Sequence, residues 1–351
     1  MHLLILPGDG IGPEITAATL TVLKAAAARF QLKLEFEHDI VGHESLVAHG
    51  TTVRPDLLDK SKAADGLILG PAATFDFKKE GQINPSAFFR KKLDLFANIR
   101  PARTYPGLPA KLGQFDLVIA RENTEGFYAD RNMAQGNAEI LVTEDVVVSM
   151  RRITRKACAR IARAAFDLAQ TRKKHVTIVH KANVLGIGDG MFIEECHKCA
   201  KDFPDVTVDE AIVDAMMALL IRNPARFDVV VTTNMFGDII SDMTAEASGS
   251  LGLGGSLNAG ELYAMAQAAH GSAPDIAGKD IANPFSLILS AGLLLGWHGR
   301  RKGEPAFGQA AAAIDSAIAA AIAAGEITRD IGGRLSTKQT GEALAARIGG
   351  T

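Results

Sequence analysis

Cysteine is scarce in this chain. Cys158, Cys196 and Cys199 are the only three in 351 residues. They cannot all pair, which argues against a disulfide scaffold and for a reducing, cytoplasmic setting. Cys196-His197-Lys198-Cys199 is a lone C-x-x-C inside a helical pattern, with no second ligand pair nearby. It is a weak zinc or redox signal. An excess of one charge is also missing. Lys and Arg number 38 against 40 Asp and Glu, a formal net charge of −2. That balance gives no reason to expect nucleic acid or an anionic membrane as partner. The local basic groups Arg151, Arg152, Arg155 and Lys156, and Lys173 with Lys174, read as solvated helix faces and ends. No apolar run reaches membrane length. Residues 285–297 are too few and too rich in Gly and Ser. The Ala-rich stretch 310–324 is broken by Asp315 and reads as an amphipathic helix. Residues 1–7 form a short apolar run leading into Gly8-Asp9-Gly10, without a basic leader or cleavage site. They are expected to be a strand and not a signal peptide. Internal repeats, low-complexity linkers and long charge blocks are absent.

What is present is an ordinary globular profile, 47% hydrophobic and 22% charged. Such a length makes one large or two medium domains. Apolar runs at 3–6, 32–37, 66–69, 117–120, 176–179, 207–211 and 229–232 read as strands. Helical patterns at 13–29, 55–63, 148–170, 190–202 and 238–248 lie between them. This alternation predicts an α/β protein with a sheet covered by helices on both faces. The run 140–148 is expected to be a strand outside the main sheets, after Tyr128-Ala129-Asp130-Arg131, and a natural dimer contact.

The chemistry concentrates in a few places. In Gly237-Asp238-Ile239-Ile240-Ser241-Asp242 a helix would put Asp238 and Asp242 on one face. Two such carboxylates repel each other unless a cation lies between them. Asp214 stands among apolar neighbours in Val213-Asp214-Ala215-Met216-Met217, where a buried acid needs an ion partner or a metal. Three hard oxygen donors suit Mg2+ or Mn2+ better than zinc. The plainer alternative is a solvated, capped helix. Arg90 follows Phe88-Phe89, Arg100 precedes Pro101, and Arg121 ends an apolar strand. Each alone reads equally as a structural ion pair. Together with a triple-acid site they suggest a small di- or tricarboxylate. Lys181, directly after a strand, and Tyr128 are candidate proton carriers; each could instead make a structural hydrogen bond. Gly8-Asp9-Gly10-Ile11-Gly12-Pro13-Glu14 resembles a phosphate loop but matches neither common glycine pattern. His270-Gly271-Ser272-Ala273-Pro274-Asp275 is a second turn-rich loop, followed by Asn283-Pro284 at a helix start. An acid such as Asp275 can bond a ribose diol and repel a 2′-phosphate, favouring NAD over NADP.

In combination these motifs resemble the metal-dependent β-decarboxylating dehydrogenases: isocitrate, homoisocitrate, 3-isopropylmalate and tartrate/D-malate dehydrogenases. The resemblance covers nearly the whole chain. It runs from Gly8–Glu14 through Arg90 to Arg100-Pro101-Ala102 and Arg121-Glu122-Asn123-Thr124-Glu125-Gly126-Phe127-Tyr128. It continues through His180-Lys181-Ala182-Asn183-Val184, Asp214, Asn234-Met235-Phe236-Gly237-Asp238 to Asp242, and the loop 270–278. It implies the non-Rossmann isopropylmalate/isocitrate dehydrogenase-like fold. Residues 1–96 and 252–351 would form a large cofactor domain, and 97–251 a small domain with the dimer interface. It also implies an obligate homodimer whose sites are shared. Lys181 and Asp214 would enter from the partner subunit. Arg90, Arg100, Arg121, Tyr128, Asp238 and Asp242 would come from the home subunit, and Asn183 would belong to the substrate site. The adenosine of NAD would be held by His270, Asp275, Ile276 and Asn283, with Gly271, Ser272 and Ala273 in the same loop. Thr74 matches a threonine near the nicotinamide, although residues 75–83 depart from the family pattern.

The resemblance implies oxidative decarboxylation of a 3-substituted (R)-malate, with Lys181 relaying a proton and Tyr128 protonating carbon 3. The substituent on carbon 3 separates the members. Where 3-isopropylmalate dehydrogenases carry two leucines, this chain has Ser86 and Ala87. Where isocitrate dehydrogenases carry Ser and Asn, it has Asn84 and Ser86, the types exchanged. Polar walls favour a carboxylate-bearing substituent, as in isocitrate or homoisocitrate. The alternatives are a 3-isopropylmalate or tartrate/D-malate enzyme, a catalytically silent regulatory subunit, and a metal-dependent hydrolase.

Overall fold

The structure, a computed structural model, describes residues 1–79, 81–109, 111–128, 133 and 138–350. Asp130 and Arg131, and Glu80 within 75–83, lie outside the described residues. The chain divides into two compact units. One comprises Met1–Asp94, Thr104–Ala110 and Ala245–Thr351; the other comprises Leu95–Arg103 and Lys111–Thr244. The changes of unit at 94/95 and 244/245 compare with expected boundaries at 96/97 and 251/252.

In the first unit, strands β1 (His2–Leu6), β2 (Glu35–His38), β3 (Gly66–Leu69), β11 (Leu257–Ala259) and β12 (Ala264–Gln267) lie in the order β2-β1-β3-β12-β11. All neighbours are parallel except β11 with β12. Leu3 to Leu6 and Leu67 to Leu69 are fully buried, as expected of strands covered on both faces. Helix Gly12–Phe30 has Pro13 in its first turn and ends at Gln31, which takes the left-handed conformation. It packs against Thr337–Gly349 so closely that a Cβ on Gly341 would lie 2.9 Å from that of Ala18. Helix Pro305–Ala323 is long and apolar enough to cross a membrane by length and composition alone. Here Phe307, Ala310, Ile314 and Ile318 are buried within the protein, which is the packing of a core helix.

In the second unit, β4 (Ala97–Arg103), β5 (Asp116–Glu122), β8 (His175–His180), β9 (Thr207–Ile212) and β10 (Val229–Thr232) lie in the order β4-β5-β10-β8-β9. Only β4 with β5 is antiparallel. Helices Arg155–Gln170 and Gly186–Ala200 cover this sheet through Ile161, Ala165, Phe166 and Phe192. Cys158, Cys196 and Cys199 are free thiols in the same core, so the C-x-x-C is packing. Burial pushes the Cys158 thiol up to about 12.

Two expectations are corrected. The single strand expected at 140–148 is an antiparallel hairpin, β6 (Glu139–Thr143) and β7 (Val146–Ser149). Glu144 and Asp145 make its turn, and Asp145 N–H bonds back to Thr143 Oγ1. The helix expected from 148 begins only at Arg155, because Thr154 is its N-cap and accepts from Ala157 N–H at 3.2 Å. Strands β4, β11 and β12 were not expected. β4 carries Asn98, two arginines and Pro101, and the other two are only three and four residues long.

Candidate active site

Arg121 is the penultimate residue of strand β5 and its side chain is 1% exposed. Helix Asn234–Ala247 passes directly over it. A Cβ on Gly237 would lie 2.6 Å from Arg121 Cγ, so only glycine lets the helix approach this closely. The guanidinium donates to Asn234 Oδ1 at 3.0 and 2.7 Å, to the Tyr128 hydroxyl at 2.7 Å, and to Asp238. The Tyr128 hydroxyl donates in turn to Asp238 Oδ2 at 2.8 Å. One turn further on, Asp242 accepts from Arg100 Nη1 at 2.9 Å. Arg100 also reaches Asp238 at 3.2 Å, Ser241 Oγ at 2.8 Å and Asn98 Oδ1 at 2.7 Å. The two acids expected to share a helix face therefore do so, and two arginines lie against them. Burial and the neighbouring Arg121 charge pull Arg100 down to about 10, against the pull of both acids. Burial pushes the Asp242 carboxyl up; Arg100 opposes this and Asp238 adds to it.

Lys181 follows β8, and its ammonium bonds the carboxylate of Asp214. The premise of a buried Asp214 is wrong, since its side chain is 68% exposed. It stands in the first turn of helix Val213–Arg222, whose inward face is carried by Met216 and Leu220. The Lys181 hydrogen bond holds the Asp214 carboxyl below its ordinary range. Behind Lys181, its backbone N–H donates to Asp189 Oδ2 at 2.6 Å, and the fully buried Asp189 pairs with Arg151 at 2.6 Å. Asn183 is exposed. Among the described residues no three His, Cys, Asp or Glu side chains are placed to hold a metal. Within one chain, Asp214 therefore does not join Asp238 and Asp242.

In the first unit, Asn84 caps helix Pro85–Lys92, its Oδ1 accepting from the N–H groups of Ser86 at 2.9 Å and Ala87 at 3.4 Å. Its carbonyl thus has a structural duty that the substrate reading did not foresee. Ser86 and Arg90, one turn apart, both donate to Gln267 Oε1. Phe89 is fully buried and Phe88 half-buried. Thr74 is exposed at the start of helix Thr74–Lys79, its hydroxyl on Ala72 O at 3.3 Å.

The two glycine-marked loops of this unit pack on each other. Ile11 N–H donates to Ser272 O at 2.9 Å, and a Cβ on Gly10 would lie 1.9 Å from that oxygen. The N–H groups of Asp9, Ile11 and Gly12 are all bonded within the protein, to Pro71, Ser272 and Asp9. These bonds tie the segment Gly8 to Glu14 to the neighbouring loops. In the facing loop, Ile276 N–H closes a turn onto Ala273 O at 3.1 Å. Gly271 and Asp275 are exposed. His270 Nε2 is buried and has no partner among the described residues. Burial pushes the imidazole pKa down, so the ring is kept neutral. Asn283 uses its carbonyl on Phe285 N–H and its amide on Asp330 Oδ2, both at 3.0 Å.

Comparison with known proteins then decides the family. The profile described as isocitrate/isopropylmalate dehydrogenase matches residues 2–344. A 3-isopropylmalate/3-methylmalate dehydrogenase of Methanocaldococcus jannaschii is 38% identical, over 99% of each chain. An isocitrate/homoisocitrate dehydrogenase of Thermus thermophilus is 39% identical, over 98% of this chain and 97% of the relative. The crystal structure of isocitrate dehydrogenase from Methylococcus capsulatus superposes with a TM-score of 0.88 at 36% identity, covering 99% of both chains.

The chain belongs to the isocitrate/isopropylmalate dehydrogenase family. It is an oxidoreductase of a family of metal-dependent, oxidatively decarboxylating dehydrogenases. The residues present fit the groups this family uses. Asp238 and Asp242 are partly open carboxylates, 39% and 50% exposed, and are hard oxygen donors. For a nicotinamide dinucleotide, the orphaned His270 Nε2 and the open face at Gly271 are the fitting features. Sequence reading missed the side chains that contact the candidate site residues: Asn234, Ser241, Asp189, Arg151 and Gln267. Asn234 and Ser241 stand inside motifs already singled out, so a helical wheel through Asp238 could have found them. No spacing marks Gln267.

Proposed function

We propose that this protein oxidises a 3-substituted (R)-malate at carbon 2 with NAD and Mg2+ or Mn2+. The carboxylate on carbon 3 leaves as CO2 and a 2-oxo acid remains. The observation that carries this reading is the closed cluster of Arg100, Arg121, Tyr128, Asp238 and Asp242, which joins anion-binding, proton-carrying and metal-ligating groups. Asp238 and Asp242, with Asp214 of the partner subunit, would hold the divalent ion, which would supply Lewis acidity beside the substrate hydroxyl, and NAD would supply the hydride acceptor.

The remaining steps belong to side chains. Arg90, Arg100 and Arg121 bind the substrate carboxylates, their forks matching carboxylate geometry. Asn84, Ser86 and Asn183 are the polar candidates beside them. Lys181 takes the hydroxyl proton as hydride leaves, helped by the backbone anchor to Asp189 that fixes where its side chain begins. Tyr128 delivers a proton to carbon 3, replenishing what CO2 leaves behind; Arg121 against its oxygen favours release of that proton. His270, Gly271, Ser272, Ala273, Asp275, Ile276 and Asn283 hold the adenosine, and Thr74 stands near the nicotinamide. The exposed Asp275 carboxylate favours a free ribose diol, hence NAD over NADP. The exposed apolar hairpin supports a homodimer, and three free thiols support a reducing, cytoplasmic setting.

For the substituent, Ser86 close to Arg90 supports the isocitrate or homoisocitrate type. A 3-isopropylmalate substrate is the second reading, favoured by relatives of that name. The deciding experiment is a panel of 3-substituted malates with NAD and Mn2+, following formation of NADH. Reduction with at least one member supports the reading, and no reduction with any of them contradicts it.

A further inference from the structure

Arg151 stands in the basic group Arg151, Arg152, Arg155 and Lys156, which reads from sequence as a solvated face. Its side chain is only 10% exposed, whereas those of Arg152 and Arg155 are 53% and 55% exposed. The reason is Asp189, in the first turn of helix Gly186–Ala200, whose carboxylate is fully buried. A carboxylate in such a place needs a cation, and Arg151 Nη2 supplies one 2.6 Å from Oδ1. Gly188 leaves room for the guanidinium, since a Cβ there would lie 3.3 Å from Arg151 Nη1. The other carboxylate oxygen, Oδ2, accepts from Lys181 N–H at 2.6 Å. The Lys181 carbonyl accepts from Val184 N–H at 2.9 Å and from Leu185 N–H at 2.8 Å. Both backbone polar groups of Lys181 are therefore tied to the start of this helix. On its other side, Arg151 donates to Thr233 Oγ1 at 3.3 Å. Its guanidinium also lies 5.5 and 5.8 Å from the ring centres of Phe127 and Phe236.

We propose that Asp189 is a positioning residue for Lys181, and that Arg151 is the counter-ion that holds its carboxylate in place. The proposal rests on the reading of the protein as a dehydrogenase with shared sites, and names what places its proton relay. A lysine ammonium rides on a flexible four-carbon stem, so its position depends on where the stem begins and what holds the tip. Asp214 holds the tip. Asp189 holds the beginning. A displacement of about 1 Å at a reacting group can cost about 100-fold in rate. Among the described residues, the polar contacts of the Asp189 carboxylate are with Lys181 and Arg151. Tyr128 is not among them; its hydroxyl is held by Arg121 and Asp238. Loss of the Asp189 carboxylate is therefore a lesion in the Lys181 function. Under the shared-site reading that lesion falls in the partner subunit's site and spares the home site.

The test uses the full-length protein with NAD, Mn2+ and the faster substrate of isocitrate and 3-isopropylmalate. Asp189→Ala is expected to lower kcat at least about tenfold with KM within about threefold of native, because the arginines that bind the substrate are untouched. Asp189→Asn, which keeps an acceptor for Lys181 N–H, should restore most of that loss. Subunit exchange then locates the lesion. Asp189→Ala mixed with Tyr128→Phe should regain activity, because one site of the heterodimer carries neither change. Asp189→Ala mixed with Lys181→Ala should regain none, because each site then receives a displaced or a missing lysine. A residue that only supports the fold would not choose between these partners. Should melting curves show that Asp189→Ala fails to fold, Asp189→Ala combined with Arg151→Met leaves no unpaired buried charge and must give the same pattern. A kcat within about twofold of native, recovery with Lys181→Ala, or no recovery with Tyr128→Phe overturns the proposal. Failure of the Lys181→Ala and Tyr128→Phe chains to complement each other in verified heterodimers, or oxidation of neither substrate, overturns the underlying reading instead.

Discussion

Asp242 feels burial, Arg100 and Asp238 at once. Replacing it by Asn keeps the shape and an acceptor for Arg100 but removes one of the charges proposed to hold the metal. Turnover should fall roughly 100-fold or more while the melting temperature stays near native. Native turnover of Asp242→Asn in chelator-treated buffer would show that Asp242 is not a ligand. Glu125 gives a prediction on stability. Its carboxylate accepts from Thr154 N–H at 2.7 Å and Thr154 Oγ1 at 2.9 Å, where it anchors the start of helix Arg155–Gln170. Burial, reinforced by the charge of Glu122 and opposed by the Thr154 bonds, pushes its pKa from 4.5 up to about 7. The folded state thus holds a proton that the unfolded chain releases. Stability should be lost as pH rises from about 4.5 to about 7, by about 3 kcal/mol, and stay level above. Glu125→Gln should flatten that slope, and urea titrations across the range will show it. An unchanged slope would mean that the carboxyl is ionised in the native state. The arginines and Tyr128 were legible in the sequence because motif and strand position mark them. The exposure of Asp214 was not, because neighbours in sequence face other directions on a helix.

Among the elements, the hairpin β6–β7 departs furthest from expectation. Leu141, Val142 and Val147 are 66%, 56% and 55% exposed, on a ribbon of two strands. Such a ribbon has little stability of its own and an apolar surface that needs a cover. We expect it to be covered by a second copy of the chain. Val147→Asp should convert a dimer to monomers in sedimentation velocity and abolish activity. A native chain that sediments as a monomer would remove this account. The hairpin was read as one strand because Val, Ile and Thr run almost without interruption from 140 to 148, and only Glu144-Asp145 marks the turn. By contrast, β3 and β10 were read to the residue, since short apolar runs bounded by polar residues leave one solution. β4 escaped because its inward and outward residues are Ala, Asn, Ile, Arg and Pro, with no clean alternation.

Across the molecule, the α/β class was legible from the regular spacing of apolar runs and helices. The antiparallel strands β4, β11 and β12 were less so, because β4 has no clean apolar alternation and the other two are only three and four residues long. The shared site is the prediction that belongs to this scale. Within one chain Asp214 does not join Asp238 and Asp242, and Lys181 accompanies Asp214. Inactive Lys181→Ala and Tyr128→Phe chains should regain activity when mixed and allowed to exchange. A heterodimer then carries one site with both lesions and one intact site. Verified heterodimers that stay inactive would place both residues in the same subunit's site. The most direct measurement follows the carbon itself. A 3-substituted malate labelled with 13C in the carboxylate on carbon 3 is incubated with the native protein, NAD and Mn2+, and labelled CO2 and NADH are counted together. The account predicts one labelled CO2 for each NADH, and neither product after chelation of the metal. NADH without labelled CO2, or turnover of the substrate without NADH, would contradict it.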